Sequence, residues 1–213
     1  MSSSSPSEAA PPRPEVVGPD AGPEAPYPLK MEGKVISGFG RGSKELGIPT
    51  ANLPVDATVT PWIEDVKSGV YFGYAAIDLP TSHPNANDTS SCTDTITKNI
   101  PNSNSNPHSS EPSSSSFAVF PMVMSIGYNP FYKNTVRSAE VHVLHRFAAD
   151  FYGSHMRLLL LGFVREEKDY KSLDALIDDI NFDCRVARTS LARDAWSPAA
   201  ASPGAAEWLV APL

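Results

Sequence analysis

A small antiparallel β-barrel closed by a C-terminal helix is the fold predicted by this 213-residue sequence. Three observations predict it. Five or more short segments have strand character, one amphipathic helical stripe follows the last of them, and no internal repeat divides the chain. Such an order of elements belongs to an all-β-dominated domain with a single closing helix.

The first strand segment, residues 33–39 (GKVISGF), is short, with Val35 and Ser37 alternating against Lys34 and Ile36. Residues 69–77 (GVYFGYAAI) are rich in aromatic and β-branched side chains, with glycine at both ends of the first half. A second apolar run covers 117–126. Between these two lies 81–116, where Ser, Asn, Thr and Pro fill 26 of 36 positions. The pair is read as a hairpin whose turn has grown into a disordered low-complexity insertion, which closure entropy tolerates because it rises only logarithmically with length. Residues 135–145 alternate, with Val141, Val143 and His145 facing one way and Glu140, His142 and Leu144 the other. Residues 155–165 form a further apolar strand. The last element is a helix: Ser172 can cap it, Asp174 suits its first turn, and Leu173, Leu176, Ile177, Ile180 and Cys184 make a stripe at helical spacing.

Composition sets the domain limits. Residues 1–28 hold eight prolines and five serines with little apolar content, and are read as a disordered tail. After Leu191 the chain turns alanine- and proline-rich (SPAAASPGAA), so 191–213 are read as a C-terminal extension. The domain is then 29–190, interrupted by 81–116. Its two core segments, 29–79 and 117–190, total 125 residues, one core of ordinary domain size.

The core is nearly neutral, with 14 Lys and Arg against 15 Asp and Glu, and most of the formal charge of −7 sits elsewhere. No basic stripe exists, so nucleic acid is not the expected partner. The two cysteines, Cys92 and Cys184, form neither a disulfide framework nor a zinc spacing. The N-terminal segment lacks an apolar stretch of secretory type and is too acidic for a mitochondrial presequence. No apolar run exceeds four residues, as at 158–161, which is far from membrane-spanning length. A cytoplasmic monomer is the expectation.

Chemistry concentrates in residues 38–53, GFGRGSKELGIPTANL. Gly38, Gly40 and Gly42 at alternate positions let backbone N–H groups approach phosphate oxygens, and Lys44 adds positive charge. The spacing fits neither a Walker A loop nor a dinucleotide fingerprint, and by itself equally suits a tight hairpin turn. Thr50 and Asn52 stand two apart, so in an extended segment both oxygens point to one side. They are hard ligands suited to Mg²⁺ if phosphate oxygens and water complete the shell; an ordinary polar turn after Pro49 is the alternative.

The run GFGRGSKELGIPTANL resembles the N-terminal signature of riboflavin kinases. SGVYFGYA, MSIGYNPFYKNTVRSAEVHVLH, DFYG and GFVREEKDYKSLDALIDDI resemble the rest of that family in order, over nearly the whole core outside the insertion. The resemblance implies a six-stranded antiparallel Greek-key barrel with a C-terminal helix, ATP and riboflavin as substrates, FMN as product, and a divalent ion, Mg²⁺ or else Zn²⁺ or another. It also implies roles for residues. Gly38 and Lys44 would contact the nucleotide phosphates, Thr50 and Asn52 the metal, and Val143, His145 and Tyr152 the nucleotide. Glu140 would be the catalytic carboxylate accepting the proton of the riboflavin 5′-hydroxyl. Arg165, Lys168 and Tyr170 match a flap that closes over the flavin; Tyr170 supplies the expected aromatic, whereas Glu166 stands where proline is frequent.

Each assignment has a plain competitor. Glu140 could be a surface acid on a half-exposed strand, His142 and His145 satisfied polar groups at a barrel rim, REEKD a solvated loop, and Tyr152 a residue packed beside a turn. A non-catalytic flavin- or nucleotide-binding module is the alternative function. A bifunctional enzyme that also makes FAD is disfavoured, since the chain lacks room for a second domain and none of its five histidines forms an HxGH motif.

Overall fold

The computed structural model describes residues 12–37, 47–86, 117–128 and 137–213. Six antiparallel strands make one sheet: β1 (Leu29–Lys34), β2 (Ala51–Asn52), β3 (Gly69–Asp78), β4 (Phe117–Tyr128), β5 (Arg137–Val143) and β6 (His155–Glu166), in the order β1-β6-β3-β4-β5-β2. The two ends of that order meet. Beyond β1, Ile36 exchanges backbone hydrogen bonds of 2.8 and 3.3 Å with Asn52 on β2, which joins the edges and leaves the ladder groups there paired.

Strand alternation divides the apolar residues into two clusters. Tyr71, Ala75, Ile77, Phe120, Met122, Met124, Val141, Val143, Leu158 and Leu160 fill the barrel interior. Val70, Phe72, Tyr74, Val119, Leu159 and Leu161 face outward and meet the C-terminal helices. β3 and β4 pair from Gly69↔Ile126 to Asp78↔Phe117, so the expected hairpin forms, and its connection contains residues 87–116, outside the described part.

Helix α1 (Leu173–Leu191) begins where expected, with the Ser172 side chain accepting the Ala175 N–H. Its packing differs from the anticipated stripe. The buried positions are Asp183, Val186, Ala187, Ser190 and Leu191, while Leu173 is 54% exposed. Only the C-terminal half of α1 lies against the outer face of the sheet.

Four boundaries read from the sequence need correction. The insertion does not begin at 81: residues 81–86 form an ordered turn in which His83 and Asn85 are buried. The first strand is Leu29–Lys34, not 33–39: Leu29 and Met31 are buried and Lys30 and Glu32 exposed. The supposed extension beyond Leu191 is part of the core. Trp196 is 1% exposed, and α2 (Pro198–Ala201) and α3 (Ala205–Val210) bring Ala205, Ala206, Leu209 and Val210 to the outer cluster. Arg157 fastens this end by donating to the Trp208 and Ala211 carbonyls at 3.0 and 2.6 Å.

Residues 12–28, read as a tail, form a strap. The Val17 N–H donates to Ser190 Oγ, Arg193 donates to the Val17 and Gly18 carbonyls, and Trp196 Nε1–H donates to Pro19 O. Gly18 has φ +78°, and a Cβ there would stand 2.3 Å from the Trp196 ring, so only glycine admits this approach. Proline richness lowers the entropy of the unfolded segment, and partners supplied from α1 and beyond complete its hydrogen bonds.

Candidate active site

The β2–β5 edge carries the candidate chemistry. Ala51 pairs with Val141, both turned into the barrel; Asn52 pairs with Glu140, both on the outer face. On the other side of β5, Glu140 is paired with Ser125 of β4. A two-residue strand therefore sets the amide of Asn52 directly beside the carboxyl of Glu140. His142, next along the same face, donates from Nδ1 to the Pro49 carbonyl at 2.8 Å and so holds the Pro49–Asn52 segment to β5. Burial pushes the pKa of His142 down, which keeps the ring neutral in this donor role.

Two features mark this edge as polar capacity left open. Asn52 is 5% exposed, yet its Oδ1 has no hydrogen-bond partner among the described residues. An unsatisfied buried carbonyl oxygen costs on the order of 1–3 kcal/mol, and such an atom calls for a ligand. Glu140 is half-buried, and burial, reinforced by the nearby charge of Glu167, raises its pKa. The other buried side-chain atom without a partner among the described residues is Nε of Arg137, whose Nη1 donates to Ile63 O at 2.6 Å.

Glu167 reaches this face from the segment after β6. A Cβ on Gly127 would lie 2.1 Å from Glu167 Oε1, so the carboxylate rests on the bare backbone of β4. Gly127 pairs with Ser138, two residues before Glu140. Sequence reasoning missed Glu167 because it sits in a charged run that resembles any solvated loop.

The remaining predicted residues fall into three groups. Gly38 and Lys44 lie outside the described residues. Val143 turns its side chain into the barrel core, 5% exposed, so any ligand contact from this position comes from its backbone. His145 stacks on Phe120 at 4.4 Å and meets Phe147 at 4.8 Å, while Tyr152 is 50% exposed on the same loop. Thr50 is half-buried beside the Asn52 strand.

Arg165, Lys168 and Tyr170 do come together. All three converge on two carboxylates of α1. Arg165 binds Asp183 from Nε and Nη2 at 3.0 and 2.7 Å, Lys168 pairs with Asp179, and the Tyr170 hydroxyl donates to Asp179 at 2.8 Å. Burial and this bond to Asp179 push the Tyr170 phenol up to about 12. Arg13 of the strap completes the group, with bonds of 2.9 Å to Asp179 and 2.5 Å to Asp183. Asp183 has a side chain only 2% exposed. Its partners are too distant in sequence for any spacing rule to reveal.

Known proteins resemble this chain over most of its length. A family model described as Flavokinase: Riboflavin kinase matches residues 25–191. Riboflavin kinase of Pyricularia oryzae is 63% identical over 87% of this chain and 82% of its own length. That of Chaetomium globosum is 59% identical over 88% and 82% respectively. Among solved structures, riboflavin kinase from Trypanosoma brucei superposes with a TM-score of 0.54 at 25% identity, covering 81% of this chain and 85% of that one. With a match across the barrel and α1, and relatives more than half identical over most of both chains, this chain belongs to the riboflavin kinase family.

Proposed function

We infer that this chain transfers the γ-phosphoryl group of ATP to the 5′-hydroxyl of riboflavin, giving FMN and ADP. The observation that carries the inference is the pairing of Asn52 with Glu140: an orphaned buried amide oxygen stands beside a carboxyl of raised basicity. Phosphoryl transfer asks for alignment and charge stabilisation more than for covalent chemistry, and these two groups divide that work.

Glu140 orients the riboflavin hydroxyl and accepts its proton as the oxygen bonds to phosphorus. Burial favours this role, since a carboxylate of raised pKa is the stronger base. Asn52 Oδ1 and the Thr50 hydroxyl would hold a divalent ion, which when bound supplies positive charge to the ATP phosphate oxygens. Neutral oxygen donors suit Mg²⁺ better than Zn²⁺, which favours imidazole, thiolate and carboxylate ligands. His142 keeps the donor segment in register through Pro49. We assign ATP to the loop carrying His145 and Tyr152 and to the glycine-rich run with Gly38 and Lys44. The flavin belongs to the flap of Arg165, Lys168 and Tyr170.

The test is a product assay. Purified protein with ATP, Mg²⁺ and riboflavin is expected to yield FMN on chromatography and no FAD. Absence of turnover, with flavin still bound, would establish the non-catalytic binding module instead.

A further inference from the structure

We propose that His83 and Asn85 are positioning residues for ATP: they clamp the 145–152 loop and so hold His145 and Tyr152 in place. This rests on the assignment of that loop to the nucleotide. Both residues belong to the stretch whose composition reads as an insertion, yet His83 is 8% and Asn85 9% exposed. Their turn is closed by backbone bonds from His83 N–H to Pro80 O at 2.8 Å and from Ala86 N–H to His83 O at 2.9 Å.

Each ring nitrogen of His83 is used. The Asn85 N–H donates to Nδ1 at 3.1 Å, which fixes the proton on Nε2, and Nε2–H donates to Ala149 O at 3.1 Å. Asn85 Oδ1 accepts the Ala148 N–H at 2.8 Å. Two hydrogen bonds thus cross from the turn to successive residues of the loop. The imidazole also stands edge-on to Phe147 and Phe151, with centroids 6.3 and 6.4 Å away. Phe147 in turn packs on His145 at 4.8 Å and on Phe120 at 5.4 Å, and Phe151 precedes Tyr152. The clamp is therefore one side chain from His145 and one residue from Tyr152. Buried polar atoms bonded to one loop, here His83 Nε2 and Asn85 Oδ1, define where that loop sits, because a displacement leaves them unpaired in a low-dielectric setting.

The test separates nucleotide from flavin kinetics in the full chain. Asn85→Ala removes the acceptor for the Ala148 N–H and is expected to raise KM for ATP about five- to tenfold, the effect of one buried hydrogen bond. The kcat and the KM for riboflavin should not change. Asn85→Asp keeps an acceptor and should restore KM for ATP. If Asn85→Ala does not fold, His83→Gln carries the same test: it retains a donor to Ala149 but loses the ring contacts. An unchanged KM for ATP in a folded variant, or equal rises in both KM values, overturns the clamp. His145→Ala and Tyr152→Ala are measured alongside. A raised KM for ATP in those two with a normal value in Asn85→Ala sinks the clamp alone; normal values throughout remove the loop from the nucleotide site, and the clamp with it.

Discussion

The β2–β5 edge and the α1 flap network both bury charged or polar groups, and they treat them in opposite ways. Around α1, the carboxylates of Asp179 and Asp183 receive Arg13, Arg165, Lys168 and Tyr170, so the acids there are matched by donors. At the edge, Asn52 Oδ1 has no partner among the described residues and Glu140 is held more basic than an ordinary carboxyl. Satisfied networks hold a structure in one arrangement, whereas open polar capacity waits for a ligand. On the assignment proposed above, the difference separates the part of the site that positions from the part that reacts.

The largest effect that can break this contrast is expected at Asp183. Asp183→Ala leaves the partly buried guanidinium of Arg165 without its bidentate acceptor, and removing one member of a buried pair costs about 3–5 kcal/mol. Denaturant unfolding should show that loss. A change below about 1 kcal/mol, the range of exposed pairs, would mean that the network is not structural.

Second in size is Glu140→Gln. Gln keeps the shape and one hydrogen-bonding oxygen but cannot accept a proton. General-base contributions run to roughly 10²–10⁴-fold in rate, and a loose transition state that does not need early deprotonation places the expected loss in kcat toward the lower end of that range. Flavin binding, followed by fluorescence, should persist. Unlike Asp183→Ala, this variant should be no less stable than the wild type, because Gln does not bring a buried charge. A kcat within about threefold of wild type, far short of that contribution, would return Glu140 to the surface-acid reading.

Asn52→Ala sharpens the same point. The metal requirement should rise by at least the roughly tenfold that losing even an outer-shell group costs a metal site. Stability without metal should change little, since removal of an orphaned oxygen offsets part of the lost packing. Titration of turnover with Mg²⁺ beside a metal-free melt measures both. An unchanged Mg²⁺ requirement would take Asn52 out of the metal site.

What could be read in advance follows from where the information lies. Strands β3 to β6 announce themselves through alternation and β-branched or aromatic residues, and Ser172 marks the start of α1 by a local hydrogen bond. β1 was legible too: Leu29 and Met31 alternate with Lys30 and Glu32, but the glycines further on drew the boundary past them. Trp196 and the strap could not be read locally, since their burial depends on a glycine some 178 positions away in sequence, where Gly18 lets the ring approach. The same holds at the site. Thr50, Asn52 and Glu140 stand in motifs, whereas Asp183, Glu167 and Asn85 gain meaning only from neighbours that the fold supplies.

The smallest expected effect belongs to Arg13→Ala, and its pH dependence tests whether the strap acts through charge. Burial pushes the Asp179 carboxyl up, but hydrogen bonds from Lys168 and Tyr170 and the charges of Arg13 and Arg165 outweigh it, so its pKa falls below the ordinary 3.8. A carboxyl lowered on folding adds stability that is present above its unfolded pKa and is lost as pH drops through its folded one. Arg13 is one cause of the lowering, and its side chain is 31% exposed, so at neutral pH its removal should cost only about 1 kcal/mol. The gap between wild type and variant should then narrow below about pH 4, as the folded carboxylate takes up its proton, first in the variant, where it is the less depressed of the two. It should not vanish altogether, because Arg13 also lies 4.5 Å over the Phe182 ring, a contact that does not titrate. Melts in low salt from pH 7 to pH 3 provide the measurement. A gap that stays constant over that interval would show that the strap is held by packing on Phe182, and that Asp179 gains nothing from the residue that reaches it across the sequence.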